Sequence, residues 1–508
     1  MTMTNSGGSV AAAAARGTLL TLVLRIFSFL SSQIIFRLVD VSSLGKASIE
    51  LELLSSTVLF FSREGFRLAL TKQTQANSPQ LWNTAWCTVI VHTVLAAVAA
   101  GWWVLQPDSK SSNDDYRLAG LLYCLAAWME GLAEPRVLWC LRTVNISIKA
   151  SAEGIGALLK TIATIASLLC FPNFPVTAFG VGQVSHALGI SIVMYLYTRK
   201  HVPLPTWKNG LDYETLRLTG IFTCQGIFKH LLTEGDRIVL STLADNYHQG
   251  IYAIASAYGG MAARLLLQPL EENARLLWSR QNSALLQESY TVIVKAVLYI
   301  GAIFTFVAVN YTSVLVTIVG QPRDAAVVLS AFCVYTGVLA WNGMTEALVY
   351  AVSTSAAEIG QLSMAHTIVG GVFAGLAPSF VAHYSSVGLV AANGVCMGLR
   401  ICYSIHFAAK YFKVGFMKLM RAMLPHPLVL VGFVVSYGVT RLSLGRLQAY
   451  ESTLTSGTIS LRNVDWLVHA SQHVFLGILS LLLLLGVAMS LEQNFRRQLR
   501  NIFKERTD

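Results

Sequence analysis

Charged side chains are scarce in this sequence. Only 12% of its 508 residues are Asp, Glu, Lys or Arg, whereas 54% are hydrophobic. Soluble domains carry about 25% charged residues, and single hydrophobic cores stop growing near ~250–300 residues. Because water cannot accommodate this much apolar surface, the composition excludes a soluble globular protein and predicts a membrane protein.

Motifs for bound metals, disulfides and nucleotides are also lacking. None of the eight cysteines stands in a CxxC pair, and no glycine-rich phosphate loop precedes a lysine. The cysteines fall inside or at the ends of apolar runs, which favours a packing role. No acid–base pair or oriented nucleophile suggests catalysis. We therefore expect no metal, no cofactor and no enzymatic activity.

Long apolar runs fill the chain instead. A membrane-spanning helix needs about 20 mostly apolar residues, and we find about fourteen such windows. They are 18–39, 48–70, 81–105, 116–139, 152–171, 177–198, 217–243, 249–270, 289–311, 325–352, 361–383, 388–409, 422–440 and 467–491. The runs are continuous rather than alternating over ~10 residues, as barrel strands would be. The sequence predicts an all-α polytopic membrane protein with about fourteen transmembrane helices.

The basic residues that give the chain its net charge of +11 are distributed in agreement with the predicted topology. If the N-terminus is cytosolic, connections on that side carry roughly three times as many Lys and Arg residues as the opposite side. The basic excess therefore predicts cytosolic termini and gives no reason to expect a nucleic-acid partner. Of two glycosylation sequons, Asn145 is predicted to be cytosolic, and Asn310 to be luminal but too close to the membrane for efficient use.

Two similar turns suggest an internal repeat. Residues 41–45 join the first two windows, residues 246–250 join the seventh and eighth, and 205 positions separate their final glycines. Six helices lie between the copies, so both would have the same orientation, as in two-lobed transporters. The predicted organisation is an N-terminal lobe at 1–198, a cytosolic linker at 199–216, a C-terminal lobe at 217–409, and two additional spans with a basic tail at 410–508.

Charges inside the spans are the candidate functional groups. A charge near mid-bilayer costs at least ~2.5–3.5 kcal/mol and usually faces protein or water. Arg25 lies on a polar stripe of the first window, and Arg63 and Arg67 share a face of the second. Cavity lining competes here with two ordinary interpretations, a structural ion pair and snorkelling from a helix end.

The seventh window carries five ionisable groups in nine residues, Lys229 to Arg237. We expect Glu234 to contact both His230, four residues earlier, and Arg237, three residues later. Such a cluster near the centre of an otherwise apolar window indicates a functional lining.

The remaining charged or polar positions allow functional and structural interpretations about equally. They are Arg264 before Pro269, Glu130 and Glu134 before Pro135, Asn342 and Glu346, and Arg400. Each proline permits a bend in its helix. We expect Lys160 to pair with Glu130 or Glu134.

Several of these motifs resemble a known family. The stretches are Arg63-Glu-Gly-Phe-Arg-Leu-Ala, Leu232-Thr-Glu-Gly-Asp-Arg, Gln249-Gly-Ile-Tyr, Ala263-Arg-Leu-Leu-Leu-Gln-Pro-Leu-Glu-Glu and Asn342-Gly-Met-Thr-Glu. In this order they resemble the eukaryotic endoplasmic-reticulum family required for translocation of dolichol-linked oligosaccharide, within the multidrug/oligosaccharidyl-lipid/polysaccharide exporter superfamily. The resemblance covers nearly the whole chain, except the N-terminal tail and residues 441–466.

The resemblance implies two pseudo-symmetric six-helix lobes plus two C-terminal helices, with a central cavity, in the endoplasmic reticulum membrane. It also implies a substrate, a dolichol diphosphate that carries two N-acetylglucosamines and five mannoses and moves from the cytosolic to the luminal leaflet. Membrane lipids and other glycosylation proteins of this compartment are further expected partners.

This substrate suggests roles for the intramembrane charges. Arginine pairs bidentately with phosphate, so we expect the diphosphate to be received by six cations: Arg25, Arg63, Arg67, Lys229, Arg237 and Arg264. Asn342 and Glu346 are expected nearer the sugars. Two alternatives stay open, a non-transporting accessory factor for lipid-linked oligosaccharide supply and a drug or cation antiporter. The second would require an acidic cavity, whereas cations dominate these spans.

Overall fold

The computed structural model describes residues 29–72, 78–105, 114–143, 145–206, 208, 210–281, 283–353, 355–454, 463–493, 495, 497 and 498, and the regular elements among them are helical. In the first half of the chain these are α1 (Phe29–Leu38), α2 (Val41–Gly45), α3 (Glu52–Lys72), α4 (Pro79–Leu105), α5 (Asp114–Arg142), α6 (Ile146–Cys170), α7 (Pro175–Thr198), α8 (Tyr213–Thr233), α9 (Gly235–Leu243) and α10 (Asn246–Ala262).

The second half contains α11 (Gln268–Trp278), α12 (Ser283–Ala302), α13 (Thr312–Val319), α14 (Asp324–Val352), α15 (Ala356–Tyr411), α16 (Phe416–Met423), α17 (Pro427–Ser452) and α18 (Val464–Leu491). Short π-helical segments at Lys46–Leu51, Ala263–Leu267 and Ile303–Val307 interrupt or precede neighbouring helices. α15 covers two predicted windows and is broken at Ser385, where φ is +48°.

Nine helical stretches within the described ranges are long and apolar enough to cross a membrane. Their most apolar windows are only 17% to 50% buried inside the protein. Leu482 and Leu483 of α18, for example, are both exposed. A helix that is apolar on its exposed face requires lipid rather than water as its surroundings. The described part of the chain is therefore an all-helical, polytopic membrane protein.

Two predicted boundaries were wrong. The window 422–440 was expected to end at residue 440, but α17 continues to Ser452. The seventh window was expected to be one helix, but it divides into α8 and α9 at Glu234, whose φ of −95° and ψ of 5° are not helical. Hydropathy cannot detect such a break, because it depends on the backbone conformation of a single residue.

The chain divides into two compact units, residues 1–253 and residues 254–508. In the first unit α5 packs against α4, α3 and α7, and α3 packs also against α8. Close approach is possible where glycine faces a ring, as at Gly131 of α5, where a Cβ atom would overlap the imidazole of His92.

In the second unit α14 packs against α11, α12 and α15, and α17 packs against α18. One of its core clusters surrounds the fully buried Trp278 and Tyr290, whose rings meet edge to face. His473 of α18 is also buried, and its ring nitrogens contact Ser443 Oγ and the carbonyl oxygen of Asn310.

The two turns that suggested a repeat make the same local structure and pack against each other within the first unit. Asp40 accepts a hydrogen bond from the backbone N–H three residues later, at Ser43, and Asp245 accepts the corresponding bond from His248. A Cβ atom on Gly45 would overlap the carbonyl oxygen of Asn246, and one on Gly250 would overlap that of Val41 (205 positions before Asn246). This reciprocal contact is what a two-fold repeat produces near its axis.

Candidate functional site

A ladder of two ion pairs joins α3 to α5 in the first unit. Arg63 contacts Glu130 at 2.5 Å, and one turn later Arg67 donates two hydrogen bonds to Glu134, at 2.5 Å and 2.8 Å. The residues of each pair are 67 positions apart, so the two helices run in the same direction with a four-residue repeat on each. Glu134 is only 1% exposed, and its two oxygens are both bonded to one guanidinium.

The expected pairing of Lys160 with these acids was wrong. Lys160 lies 3.7 Å from Glu52 of α3 instead. Glu130 and Glu134 are paired with Arg63 and Arg67 because these arginines have the same four-residue spacing on the neighbouring helix. Which helix faces α5 is a property of packing, and the sequence of either helix alone does not contain it.

The cations on the two sides of the break in the seventh window pair with different acids. Arg237 donates to the Glu234 carboxylate at 2.8 Å, which confirms the expected local pair. Lys229 contacts Glu64 of α3 at 3.3 Å and is 68% exposed. The Lys229 ammonium is therefore the most accessible of the paired cations on α3 and α8.

His230 was expected to contact Glu234, but its side chain contacts helix α3 instead. His230 Nε2 lies 3.1 Å from the hydroxyl of Thr57, and its ring stacks on Phe60 with 4.4 Å between centroids. The histidine is buried. α3 and α8 are thus held together by an aromatic contact and a hydrogen bond beside the Lys229–Glu64 ion pair.

Two adjoining cavities open among these side chains. The larger has a volume of about 390 Å³ and the smaller about 320 Å³, and both are lined by Arg63, Arg67, Glu130 and His186. Their combined lining includes six carboxylates, and each has a cation within 4 Å. The pairs are Glu52–Lys160, Glu64–Lys229, Glu130–Arg63, Glu134–Arg67, Glu153–Lys149 and Glu234–Arg237.

This pairing changes the expected electrostatics of the lining. The sequence suggested a region dominated by cations, whereas the cavity walls hold six carboxylates and four cations, and the cations of the other two pairs, Lys160 and Arg237, lie outside the lining. A paired lining is polar and nearly neutral, and it presents hydrogen-bond donors and acceptors side by side. It is suited to contact polar groups without attracting a particular sign of charge.

The other predicted residues lie elsewhere. Arg25 is outside the residues that the structure describes, and Arg264 lies in the π-helical segment Ala263–Leu267 of the second unit. Asn342 of α14 is buried, and its side-chain oxygen has no hydrogen-bond partner among the described residues.

Glu346 of α14 belongs to a separate cluster in the second unit. Arg400 donates two hydrogen bonds to its carboxylate, at 2.7 Å and 2.8 Å, and His366 contacts it at 2.8 Å. The carboxylate is buried and its partners occupy both oxygens. This geometry ties α14 to α15.

The lining residues that sequence reasoning missed include Glu52 of α3 and Gln183 and His186 of α7. Gln183 and His186 are separated by one helical turn, in a window whose other residues are mostly apolar or small. A polar pair at i, i+3 spacing inside a spanning helix was the available signal, because the two side chains share one face.

The comparisons with known proteins agree with one another. The Man(5)GlcNAc(2)-PP-dolichol translocation protein RFT1 of Mus musculus is 27% identical over 482 residues, with 86% of this chain and 88% of the relative covered. The protein of the same name from Yarrowia lipolytica is 28% identical over 486 residues, with 78% and 70% covered.

Among solved structures, the chain resembles the lipid II flippase MurJ in an inward closed conformation. The TM-score is 0.63 at 12% identity, over 93% of this chain and 98% of that one. It also resembles an inward-facing multidrug resistance MATE family transporter of the MOP superfamily, with a TM-score of 0.55 at 13% identity, over 77% and 96%. These likenesses show a shared fold. Residues 10–502 match the family described as Rft-1, Rft protein, and the chain therefore belongs to the Rft-1 family.

Proposed function

We propose that this protein translocates the dolichol-diphosphate-linked heptasaccharide, five mannoses and two N-acetylglucosamines, from the cytosolic to the luminal leaflet of the endoplasmic reticulum membrane for protein N-glycosylation. Family membership and the names of the relatives support this substrate. The likeness to MurJ supports a transporter fold rather than an enzyme. Other glycosylation proteins are proposed as further partners.

The observation that carries the proposal is the pair of polar cavities in the first unit. Moving sugars unassisted through hydrocarbon would cost about 2–7 kcal/mol for each unpaired hydroxyl. A lining whose six carboxylates are each ion-paired supplies replacement hydrogen bonds among helices whose outer faces are apolar. The polyprenyl chain would remain in the bilayer, where it needs no such lining.

We further propose the architecture that the sequence suggested. The chain would contain fourteen transmembrane helices, arranged as two six-helix lobes at 1–198 and 217–409, a linker at 199–216, and two helices with a basic tail at 410–508. Both termini would be cytosolic. The reciprocal contact of Gly45 and Gly250 supports the internal repeat on which the lobes rest.

The predicted substrate contacts are proposed with distinct roles. Lys229 is the cation best suited to the diphosphate, because its contact with Glu64 is long and its ammonium is accessible. Arg25 is proposed to contact the diphosphate as well. The other predicted contacts are kept as parts of the substrate path: Arg63, Arg67, Arg237, Arg264, Asn342 and Glu346.

The test is reconstitution of purified protein in liposomes with labelled dolichol-linked heptasaccharide, scoring its exposure to a probe on the opposite side. We expect translocation that requires the protein, falls at least tenfold in Lys229→Ala and Arg25→Ala, and persists in Lys229→Arg. Lys410→Ala is the matched control, because Lys410 is an exposed lysine at the end of α15, outside both cavities.

A flat result from a preparation that rescues glycosylation in cells would refute direct translocation. It would favour the accessory role, in which the protein binds or channels the lipid-linked sugar without moving it between leaflets. Normal translocation by both alanine variants would instead refute the assignment of the diphosphate contacts.

A further inference from the structure

The paired charges in the first unit limit what the two cavities can bind. A diphosphate that entered beside Arg67 would either lie against the negative charge of Glu134, a carboxylate that is buried and held by two hydrogen bonds, or displace it. The first arrangement brings like charges together, and the second leaves a buried charge without a partner, which is strongly unfavourable. The deeper part of the lining is therefore poorly suited to an additional anion.

The same lining is well suited to a neutral ligand with many hydroxyl groups. A carboxylate has about four lone-pair sites and a guanidinium five N–H donors, and Arg63 uses one atom to reach Glu130. A sugar hydroxyl can donate to such a carboxylate and accept from its arginine partner without separating them. Phe60, in the larger cavity, adds an apolar surface against which the C–H face of a sugar ring can pack.

Two side chains that line the larger cavity, Gln183 and His186, each have a buried polar atom without a hydrogen-bond partner among the described residues. Gln183 of α7 lines this cavity and is 6% exposed, and its side-chain oxygen has no hydrogen-bond partner among the described residues. A buried amide oxygen left without a donor is unfavourable by about 1–3 kcal/mol. A ligand N–H or O–H at this position would remove that penalty.

We propose that the cavities of the first unit form a subsite for the N-acetylglucosamine pair, with the Gln183 oxygen accepting a hydrogen bond from a sugar hydroxyl or acetamido N–H. This inference rests on the proposed function. In the relatives' substrate the two N-acetylglucosamines adjoin the diphosphate, and Lys229, proposed above to contact the diphosphate, lines the same cavity as Gln183.

The size of the cavities agrees with part of the glycan rather than all seven sugars. Volumes of about 390 Å³ and 320 Å³ lie at the lower end of the ~300–1,000 Å³ range of small-molecule pockets. The subsite would hold the sugars next to the diphosphate.

The experiment compares two lipids on the purified protein in nanodiscs, dolichyl diphosphate and dolichyl diphosphate carrying N,N′-diacetylchitobiose. We expect the wild type to bind the sugar-bearing lipid more tightly. Gln183→Met keeps the approximate size of the side chain but removes its amide, and should weaken binding of that lipid about five- to tenfold, the value of one hydrogen bond, with dolichyl diphosphate unaffected. Lys229→Ala should weaken binding of both lipids.

Two further variants keep the test decisive. Gln321→Met removes a buried amide in the second unit, outside both cavities, and should bind both lipids as the wild type does. If Gln183→Met fails to fold, Gln183→Asn takes its place in the test. It retains an amide and should keep part of the wild-type preference for the sugar-bearing lipid. Equal binding of the two lipids by the wild type, or an unchanged preference in Gln183→Met, would overturn the subsite and leave the proposed function standing. No binding of either lipid by the wild type would overturn both.

Discussion

The ladder between α3 and α5 predicts a measurable coupling between Arg67 and Glu134. Replacing Glu134 by Met would leave the Arg67 guanidinium partly buried with neither of its two hydrogen bonds to this acid. Removing one member of a buried ion pair costs about 3–5 kcal/mol, whereas replacing both members by apolar side chains is often neutral. The double variant Arg67→Met/Glu134→Met should therefore be more stable than Glu134→Met alone.

The size of the effect can be expressed as a thermal shift. For a folding unit of ~150–250 residues, 1 kcal/mol corresponds to roughly 2–4 °C in Tm. A loss of ~3 kcal/mol in Glu134→Met would thus lower the Tm by roughly 6–12 °C, and the double variant should recover at least half of that loss. The measurement is thermal unfolding of the detergent-solubilised protein, followed by fluorescence-detected gel filtration at one fixed heating schedule.

Glu153→Met is the matched control for this cycle. Glu153 is 56% exposed and pairs with Lys149 four residues earlier on the same helix. Exposed pairs of this kind contribute about 0.3–0.5 kcal/mol, so the Tm should move by less than roughly 2 °C. The reasoning fails if Glu134→Met unfolds at the wild-type temperature, or if the double variant loses the full sum of the two single losses.

Three other predictions follow from single contacts. Gly45→Ala and Gly250→Ala should each lower stability by about 1–3 kcal/mol, because the new methyl group meets backbone atoms. Gly101→Ala should not lower stability, because no atom lies within 4 Å of its added Cβ. Equal Tm values for all three variants would refute the close contact. Arg400→Met should lower the Tm by roughly 6 °C or more, because it leaves a buried carboxylate of α14 with one partner; an unchanged Tm would contradict this. Asn310 should carry no glycan, because its amide is buried and bonded to two groups of α17; an endoglycosidase-sensitive band that disappears in Asn310→Gln would prove otherwise.

The sequence predicted the helices well because each depends on local composition. Apolar runs such as 81–105 and 467–491 closely match α4 and α18, since about 20 apolar residues suffice to cross a bilayer whatever they pack against. Capping residues fix some ends, as Asn463 does by accepting two backbone N–H bonds at the start of α18.

Contacts between side chains on different helices could not be predicted from local composition. The sequence showed that Arg63 and Arg67 share a face, but not that α5 presents two acids to that face, and it led to the wrong partner for Lys160. Pairing depends on how each helix is rotated about its axis, a property of the whole packed unit. For the same reason a region rich in cations by sequence became a lining in which each carboxylate has a cationic partner.

The contact between the turns at 41–45 and 246–250 constrains how the two halves of the sequence can diverge. The two turns pack directly against each other, because each glycine lies against the backbone at the start of the opposite turn. A side chain added to either copy would collide with its counterpart, so a change in one half cannot be accommodated within that half alone. Such mutual dependence predicts that a larger residue at either glycine is tolerated only together with a compensating change in the opposite turn.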